Sequence, residues 1–271
     1  MKPAPFKYVA PRTLEEALVT KAEHGDDAMF LAGGQSLVPA MNFRLAAPAV
    51  LIDINGIENL GTANADSESG ELRLGALTRH RDVEFNPAIG NACPLLREAI
   101  VHVAHPQIRN RGTLCGNLAH ADPASEMPAV VLALDARMRL VSSTGERWVA
   151  ASDFFEGIYT TSCAEDEMLV EVALPKSQPE TVSCFLEVAR RPGDYAMMGV
   201  AVCVTLGPGD FCESASVVFC GAGETPLLAK VACDLLTGTQ LTAESIEAAA
   251  DSARGEIEPL GSVHATPDYQ R

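Results

Sequence analysis

The sequence predicts an α+β protein in two parts, on three features. Near the N-terminus a strand, a Gly-Gly turn, a helix and a second strand follow one another within residues 27–54. Beyond residue 181 strands come first and helices after, without the strict alternation of a parallel α/β fold. Between these parts, Pro175, Ser177 and Pro179 cluster and place a boundary near Lys176 to Glu180.

Thr13 is a good N-cap for a helix over Leu14 to His24. Asp27 to Ala32 reads as a short apolar strand that leaves through Gly33-Gly34-Gln35-Ser36. Leu37, Met41 and Leu45 recur at four-residue steps, the spacing of one helical face. Pro39 falls in the first turn of that helix, where a missing N–H is tolerated. Pro48 ends the segment, and Val50 to Ile54 is the next strand. A turn-rich stretch, Asn64 to Gly70, leads into a strand over Leu72 to Ala76, and Cys93 to Ala104 is expected to be helical. Arg109 to Asn117 reads as a glycine-punctuated loop. Asp122 as N-cap with Pro123 in the first helical position starts another helix, given one apolar face by Met127, Val130, Val131 and Leu134. A hairpin turns near Ser143-Thr144-Gly145. In the second part, Val200, Val202, Val204 and Leu206 alternate with Ala201, Cys203 and Thr205, the period of a strand. Phe211 to Cys220 is a further strand, and helices are expected over Pro226 to Leu236 and Ala243 to Arg254.

A chain of 271 residues, 47% hydrophobic and 21% charged, can bury one large core or two modest ones. A net charge of −16 argues against nucleic acid, because a phosphate backbone needs a basic footprint, and the longest basic cluster is Arg109-Asn110-Arg111. No apolar run approaches the ~20 residues of a membrane span, and the Met1 to Pro5 start has no apolar signal core. A cytoplasmic protein is expected. The eight cysteines include no Cys-x-x-Cys, and the six histidines no His-Glu-x-x-His, so no metal is expected in this chain.

Two glycine loops remain. A dinucleotide diphosphate is met at close range by backbone N–H groups, which favours residues without bulky side chains and a helix N-terminus behind them. Gly33-Gly34-Gln35-Ser36 suits that description, yet it is neither Gly-x-Gly-x-x-Gly nor a Walker loop, and taken alone it is better read as a plain turn. Thr113 to Asn117 again sets small residues and a hydroxyl ahead of a helix. Two such loops can grip one diphosphate from both sides; spacing alone supports no more than a nucleotide site.

Ala32-Gly33-Gly34-Gln35-Ser36-Leu37 with Leu51-Ile52-Asp53-Ile54, and Gln107 to Asn117 with Ala121-Asp122-Pro123, resemble the two FAD signatures of the medium subunits of carbon monoxide dehydrogenase and related molybdenum hydroxylases; xanthine dehydrogenase carries a similar domain. The resemblance extends through Arg190 to Tyr195 and the Gly221 to Pro226 turn. It implies a vanillyl-alcohol-oxidase-type (PCMH) fold: an FAD-binding domain over 1–176, with subdomains about 1–56 and 57–176, and a small α+β C-terminal flavoprotein domain over 181–271. It also implies FAD in this chain, with the molybdenum cofactor and [2Fe–2S] clusters in a large and a small partner subunit, as a dimer of heterotrimers. The chain's role is then to take electrons from the small subunit and pass them to an external acceptor. A stand-alone flavin oxidoreductase of the same fold, and a scaffold that has lost FAD, are the alternatives.

Carried over by position, Ala32, Gly33, Gly34, Gln35 and Ser36, with Thr113, Leu114, Cys115, Gly116 and Asn117, bind the pyrophosphate. Glu126 stands where relatives place an acid on the adenosine ribose; its alternative is a carboxylate favoured by a helix N-terminus. Val103 and Leu169 match positions lining the ring system, or else are core. Tyr195 matches an aromatic against the isoalloxazine, or else is ordinary surface packing in a Gly-Asp loop. No catalytic acid, base or nucleophile is implied. In two places the pattern departs. Cys115 replaces a usual glycine, bringing a Cβ that can crowd the phosphate, and Glu187 stands where many relatives have lysine. A carboxylate there disfavours an anionic reduced flavin and lowers its potential. The chain also stops at Arg271, where relatives continue with a further helix, so a short last domain is expected.

Overall fold

The computed structural model describes residues 2–65 and 70–271. The N-terminal unit is a three-stranded parallel sheet with Val50–Asp53 in the centre, flanked by Lys7–Val9 and Ala28–Leu31. The Leu14–His24 helix crosses over it, burying Ala17 and Leu18, and starts where expected because Thr13 Oγ1 accepts the Glu16 N–H at 3.1 Å. The helix after the Gly-Gly turn is shorter than its spacing suggests, Leu37–Asn42. Arg44 takes a positive φ of 60° and Leu45 is left 84% exposed, so the third residue of the expected face lies beyond the helix.

The middle of the chain is a five-stranded antiparallel sheet in the order Ala63–Ala65, Glu71–Gly75, Met168–Pro175, Arg137–Ser142 and Gly145–Ala150. The expected turn region Asn64 to Gly70 begins as strand, and its remainder falls largely outside the described residues. Met168–Pro175 is the central strand and is buried on both faces, since helices cover the sheet. The expected helix over Cys93 to Ala104 is Pro94–Ile100 followed by a turn.

Two local expectations are corrected here. The segment read as a loop, Arg109 to Asn117, holds the end of a short helix, Pro106–Arg109, and the first turns of another, Leu114–His120. Thr113 caps that second helix by accepting the Gly116 N–H at 3.1 Å. Asp122 and Pro123 do not begin a helix: Asp122 Oδ1 accepts the Ala124 N–H at 3.0 Å and closes a turn, and the helix is Glu126–Ala133 with Ser125 in the N-cap position. That helix has no single apolar face. Seven of its residues, Glu126 included, are buried, because it is clamped between the helices Pro94–Ile100, Leu114–His120 and Ala151–Phe154 on one side and the C-terminal sheet on the other.

After Pro175 the chain re-enters sheet at Thr181. Four antiparallel strands, Thr181–Ala189, Ala196–Leu206, Cys212–Cys220 and Leu227–Leu228, form the C-terminal sheet. The expected helix Pro226 to Leu236 is therefore split: Leu227 and Leu228 pair with Phe219 and Val218, and only Lys230–Leu236 is helical. One sheet face sends Phe185, Ala201, Val218 and Cys220 into the main core. The other buries Val204 and Cys212 beneath Ala232, Leu236, Ala249 and Ala253 of the Lys230–Leu236 and Ala243–Glu256 helices. The chain end is held in place, with Gln270 Nε2 donating to the Met197 carbonyl at 2.6 Å and the Gly221 carbonyl at 3.1 Å. Among the described residues no helix is long and apolar enough to cross a membrane.

One buried cation organises the turn ahead of the second glycine loop. Arg109 is 7% exposed; it donates to Glu84 at 2.9 and 3.2 Å and to the Val103 and Ala104 carbonyls at 3.0 Å each. Arg109→Ala leaves the half-buried Glu84 without its partner and the site of the buried guanidinium empty, and costs about 3 kcal/mol, read as a lower denaturant midpoint; combining it with Glu84→Gln recovers part of the loss. A second consequence concerns His80, whose buried ring abuts Gly112, the glycine of that loop, and whose pKa is pushed down to about 4 by burial and then by the Arg109 charge. Between the ordinary histidine value and about 4 the unfolded chain binds a proton that the folded one refuses, so stability falls as pH drops through that window. The full effect is about 3 kcal/mol. Denaturation series at several pH values should show this slope in the parent and a flatter one in His80→Gln.

Candidate functional site

The two glycine bends, 80 residues apart in the chain, lie against each other. A Cβ built on Gly33 meets the Arg111 carbonyl oxygen at 2.5 Å and Gly112 Cα at 2.7 Å. One built on Gly116 meets Thr113 Oγ1 at 2.6 Å, with Ala32 Cβ at 4.0 Å beyond it. Gly34 adds a backbone reason, since its φ of +72° is a conformation that L side chains rarely adopt. Only residues without a side chain allow the two backbones this close.

Side chains from neither bend hold them together. Asn55 donates from Nδ2 to the Ala32 carbonyl at 2.8 Å, and its Oδ1 accepts from Arg79 Nη2 at 2.5 Å. Arg79 Nη1 donates in turn to the Arg111 carbonyl. Asp53 orients Asn55 by accepting its backbone N–H at 2.9 Å, and itself accepts from the Tyr8 hydroxyl. Backbone bonds around Arg79 complete the link, with His80 N–H donating to the Gly112 carbonyl and Leu114 N–H to the Thr78 carbonyl, each at 3.0 Å. Asn55 and Arg79 escape sequence reasoning, because nothing local marks them; their partners are 23 and 32 residues away.

A cavity of about 310 Å³ opens on this cradle, lined by Gly33, Gly34, Gln35, Val38, Asn42 and Arg111 among others. Among the described residues no hydrogen bond takes the N–H groups of Gly34, Gln35 or Ser36. Unused N–H groups, a floor that a Cβ would fill and the guanidinium of Arg111 fit the diphosphate of a dinucleotide. Arg111 is a lining residue that sequence reasoning did not single out.

Cys115 does not obstruct the cradle. It is 2% exposed, its Sγ lies 3.8 Å from the Leu74 carbonyl oxygen, and burial raises its pKa far above the ordinary thiol value. Thr113 Oγ1 is the cap already described, and Leu114 is fully buried behind it. Asn117 Oδ1 accepts from Ser125 Oγ at 2.8 Å, which ties the second bend to the start of the Glu126–Ala133 helix.

Glu126 is 5% exposed and its carboxyl contacts that of Glu187. Burial first, then the charges of Glu187 and Asp122, raise the Glu126 pKa; burial raises that of Glu187. Tyr195 is 72% exposed as a residue, and partial desolvation of its hydroxyl, then the charges of Asp122 and Glu126, raise its phenol pKa. Its loop packs on the turn after the Pro94–Ile100 helix: a Cβ on Gly193 meets His105 Nδ1 at 2.4 Å and the Ala104 carbonyl oxygen at 2.8 Å. Val103 and Leu169, at 6% and 5% exposure, belong to the hydrophobic core.

Known proteins share the sequence and the fold. The family described as the FAD binding domain in molybdopterin dehydrogenase matches residues 4–177, and that described as the CO dehydrogenase flavoprotein C-terminal domain matches residues 183–271. The 6-hydroxypseudooxynicotine dehydrogenase complex subunit alpha of Paenarthrobacter nicotinovorans is 40% identical over 270 residues, 100% of this chain and 90% of that protein. The carbon monoxide dehydrogenase medium chain of Hydrogenophaga pseudoflava is 36% identical over 100% of this chain and 93% of its own length. A solved structure of the Hydrogenophaga pseudoflava enzyme, in a form lacking the Mo-pyranopterin moiety, matches with a TM-score of 0.96 at 36% identity, over 100% of this chain and 93% of that one. Quinoline 2-oxidoreductase from Pseudomonas putida 86 matches with a TM-score of 0.93 at 36% identity and the same coverage. With both parts of the sequence matched and the PCMH-type fold shared along its length, this chain belongs to the FAD-binding medium subunits of the molybdenum hydroxylases and is an oxidoreductase component.

Proposed function

We propose that this chain uses its FAD to take electrons from a small [2Fe–2S] subunit and pass them to an external acceptor, while a large molybdenum-cofactor subunit hydroxylates the substrate. FAD, when bound, supplies the redox chemistry, and the chain supplies orientation, charge and exclusion of water. The functional division follows residues 1–176 for the cofactor and 181–271 for the cover over it.

The observation that carries this reading is the contact of the two bends, Gly33 against Arg111 and Gly112. In it, the N–H groups of Gly34, Gln35 and Ser36 and the Arg111 guanidinium take the diphosphate. Ala32, Gly33 and Thr113 to Asn117 shape the floor, and Glu126 serves a ribose hydroxyl. Tyr195, exposed on its own loop, meets the flavin ring from the open side. Val103 and Leu169 support the pocket from the core behind it.

Arg111→Ala leaves the backbone contact intact and removes one charged partner of the diphosphate, worth about 1.5–3 kcal/mol. Purified protein should then titrate with FAD roughly tenfold or more weakly than the parent, followed by flavin fluorescence, with an unchanged circular-dichroism spectrum. Unaltered affinity would remove Arg111 and its cavity from the site. Isolation from its source separates the relay role from a self-contained flavin enzyme: the former predicts iron–sulfur and molybdenum subunits in fixed ratio, the latter a single flavoprotein with its own substrate.

A further inference from the structure

Glu126 opens the Glu126–Ala133 helix, and Glu187 lies on the Thr181–Ala189 strand. Their contact joins the cofactor-binding part of the chain to the C-terminal sheet. Glu187 shares the inward strand face with Phe185, two residues before it, and its Oε2 is sealed from solvent with no hydrogen-bond partner among the described residues. Glu126 is almost wholly buried, and its side chain is within hydrogen-bonding reach of Glu187.

Two ionised carboxylates are badly placed here. Each buried oxygen needs a donor, and like charges repel strongly where water is excluded. Among the described residues no cation acts on either carboxyl, and His102 turns its ring to Phe185 at 5.4 Å. Asp122 approaches from the preceding turn, Tyr195 from the loop before the Ala196–Leu206 strand, and Cys220 from the Cys212–Cys220 strand. Each is an acid, and the Cys220 thiol is itself raised by burial and then by both glutamates. The Glu126 backbone N–H offers only partial relief. A single shared proton answers both needs, with one carboxyl donating O–H to the other carboxylate.

We propose that Glu126 and Glu187 hold one proton between them as a buried acid pair, and that loss of this proton puts a second negative charge beside the flavin site and weakens FAD binding. The pair sits next to that site through the Asn117–Ser125 hydrogen bond, which joins the second bend to the residue preceding Glu126. The link to FAD rests on placing the cofactor at the paired bends; the shared proton is read from the protein alone. Its sign is fixed. The folded pair keeps a proton that the unfolded chain gives up above the ordinary carboxyl range, so its stabilising contribution is full at low pH and is lost as pH rises through the pair's own raised value.

The test uses the full chain, with and without FAD. Infrared spectra of the flavin-free protein should show the C=O band of a protonated carboxyl at neutral pH, disappearing on alkaline titration at a pH that moves in Glu126→Gln and in Glu187→Gln, and missing in the double variant. FAD titrations across the same range should lose about fivefold or more in affinity over that transition. The double variant with both glutamates replaced by glutamine, which keeps the side-chain shapes and acquires no charge, should be flat. Absence of the band in the parent overturns the shared proton. A band with FAD affinity indifferent to its loss, or a pH slope that survives in the double variant, overturns the coupling. If Arg111→Ala also leaves FAD affinity unchanged, the fault lies in the placement of the cofactor, and the infrared result still judges the pair.

Discussion

The structure depends on one close approach: the backbone at Gly33 lies on the backbone at Arg111 and Gly112, with no room for a single carbon between them. The parallel three-stranded unit supplies the first bend and the middle antiparallel sheet region the second. Two regions with different sheets are thus locked at a point where neither contributes a side chain. Such a contact has little apolar area to offer, so it is held by directed bonds from Asn55 and Arg79. What results is a floor rigid in its backbone and open above, with N–H groups left unspent. Preorganised donors of this kind meet an anion without having to reorganise.

Much of this was legible because it is local. The Thr13 cap, the strand–Gly-Gly–helix–strand unit and the hairpin at Ser143 to Gly145 are set by neighbours in sequence. The glycine bends were recognisable as a nucleotide site only in part, since each alone is also an ordinary turn; their contact, which decides the matter, joins residues far apart. Asn55 and Arg79 were illegible for the same reason. Asp122-Pro123 has the composition of a helix start, yet the Asp122 side chain is spent on the Ala124 N–H, and the helix waits until Glu126. Leu227 and Leu228 carry no strand signal in the sequence, because an edge pairing with Val218 and Phe219 leaves no periodicity in two residues.

The Glu126–Ala133 helix shows how tertiary context overrides pattern. Its apolar residues suggested one buried stripe, but the C-terminal sheet covers the opposite side, so a helix that would be amphipathic in a single layer is buried nearly all round. That same enclosure drags a carboxylate into the seam. Glu126 is the first residue of the helix and cannot reach solvent without breaking the sheet contact, whereas Phe185 and Cys220 on the facing strands are apolar neighbours that stabilise the junction. The seam therefore combines a hydrophobic majority, which fixes how the two parts sit, with a polar pair whose state depends on a proton.

Helical phase explains why the second bend tolerates its departure from a double glycine. In the Leu114–His120 helix, Leu114, Cys115 and Leu118 are the buried positions, so the side chain at 115 turns toward the middle sheet and rests by the Leu74 carbonyl. Position 116 is one step, about 100°, further round the helix, and there a Cβ would strike the Thr113 hydroxyl that caps the helix. Of the two adjacent sites only Gly116 is bound to be glycine by this geometry. A small thiol at 115 exchanges a void in the core for a contact, and the cradle surface above is the same as if glycine stood there.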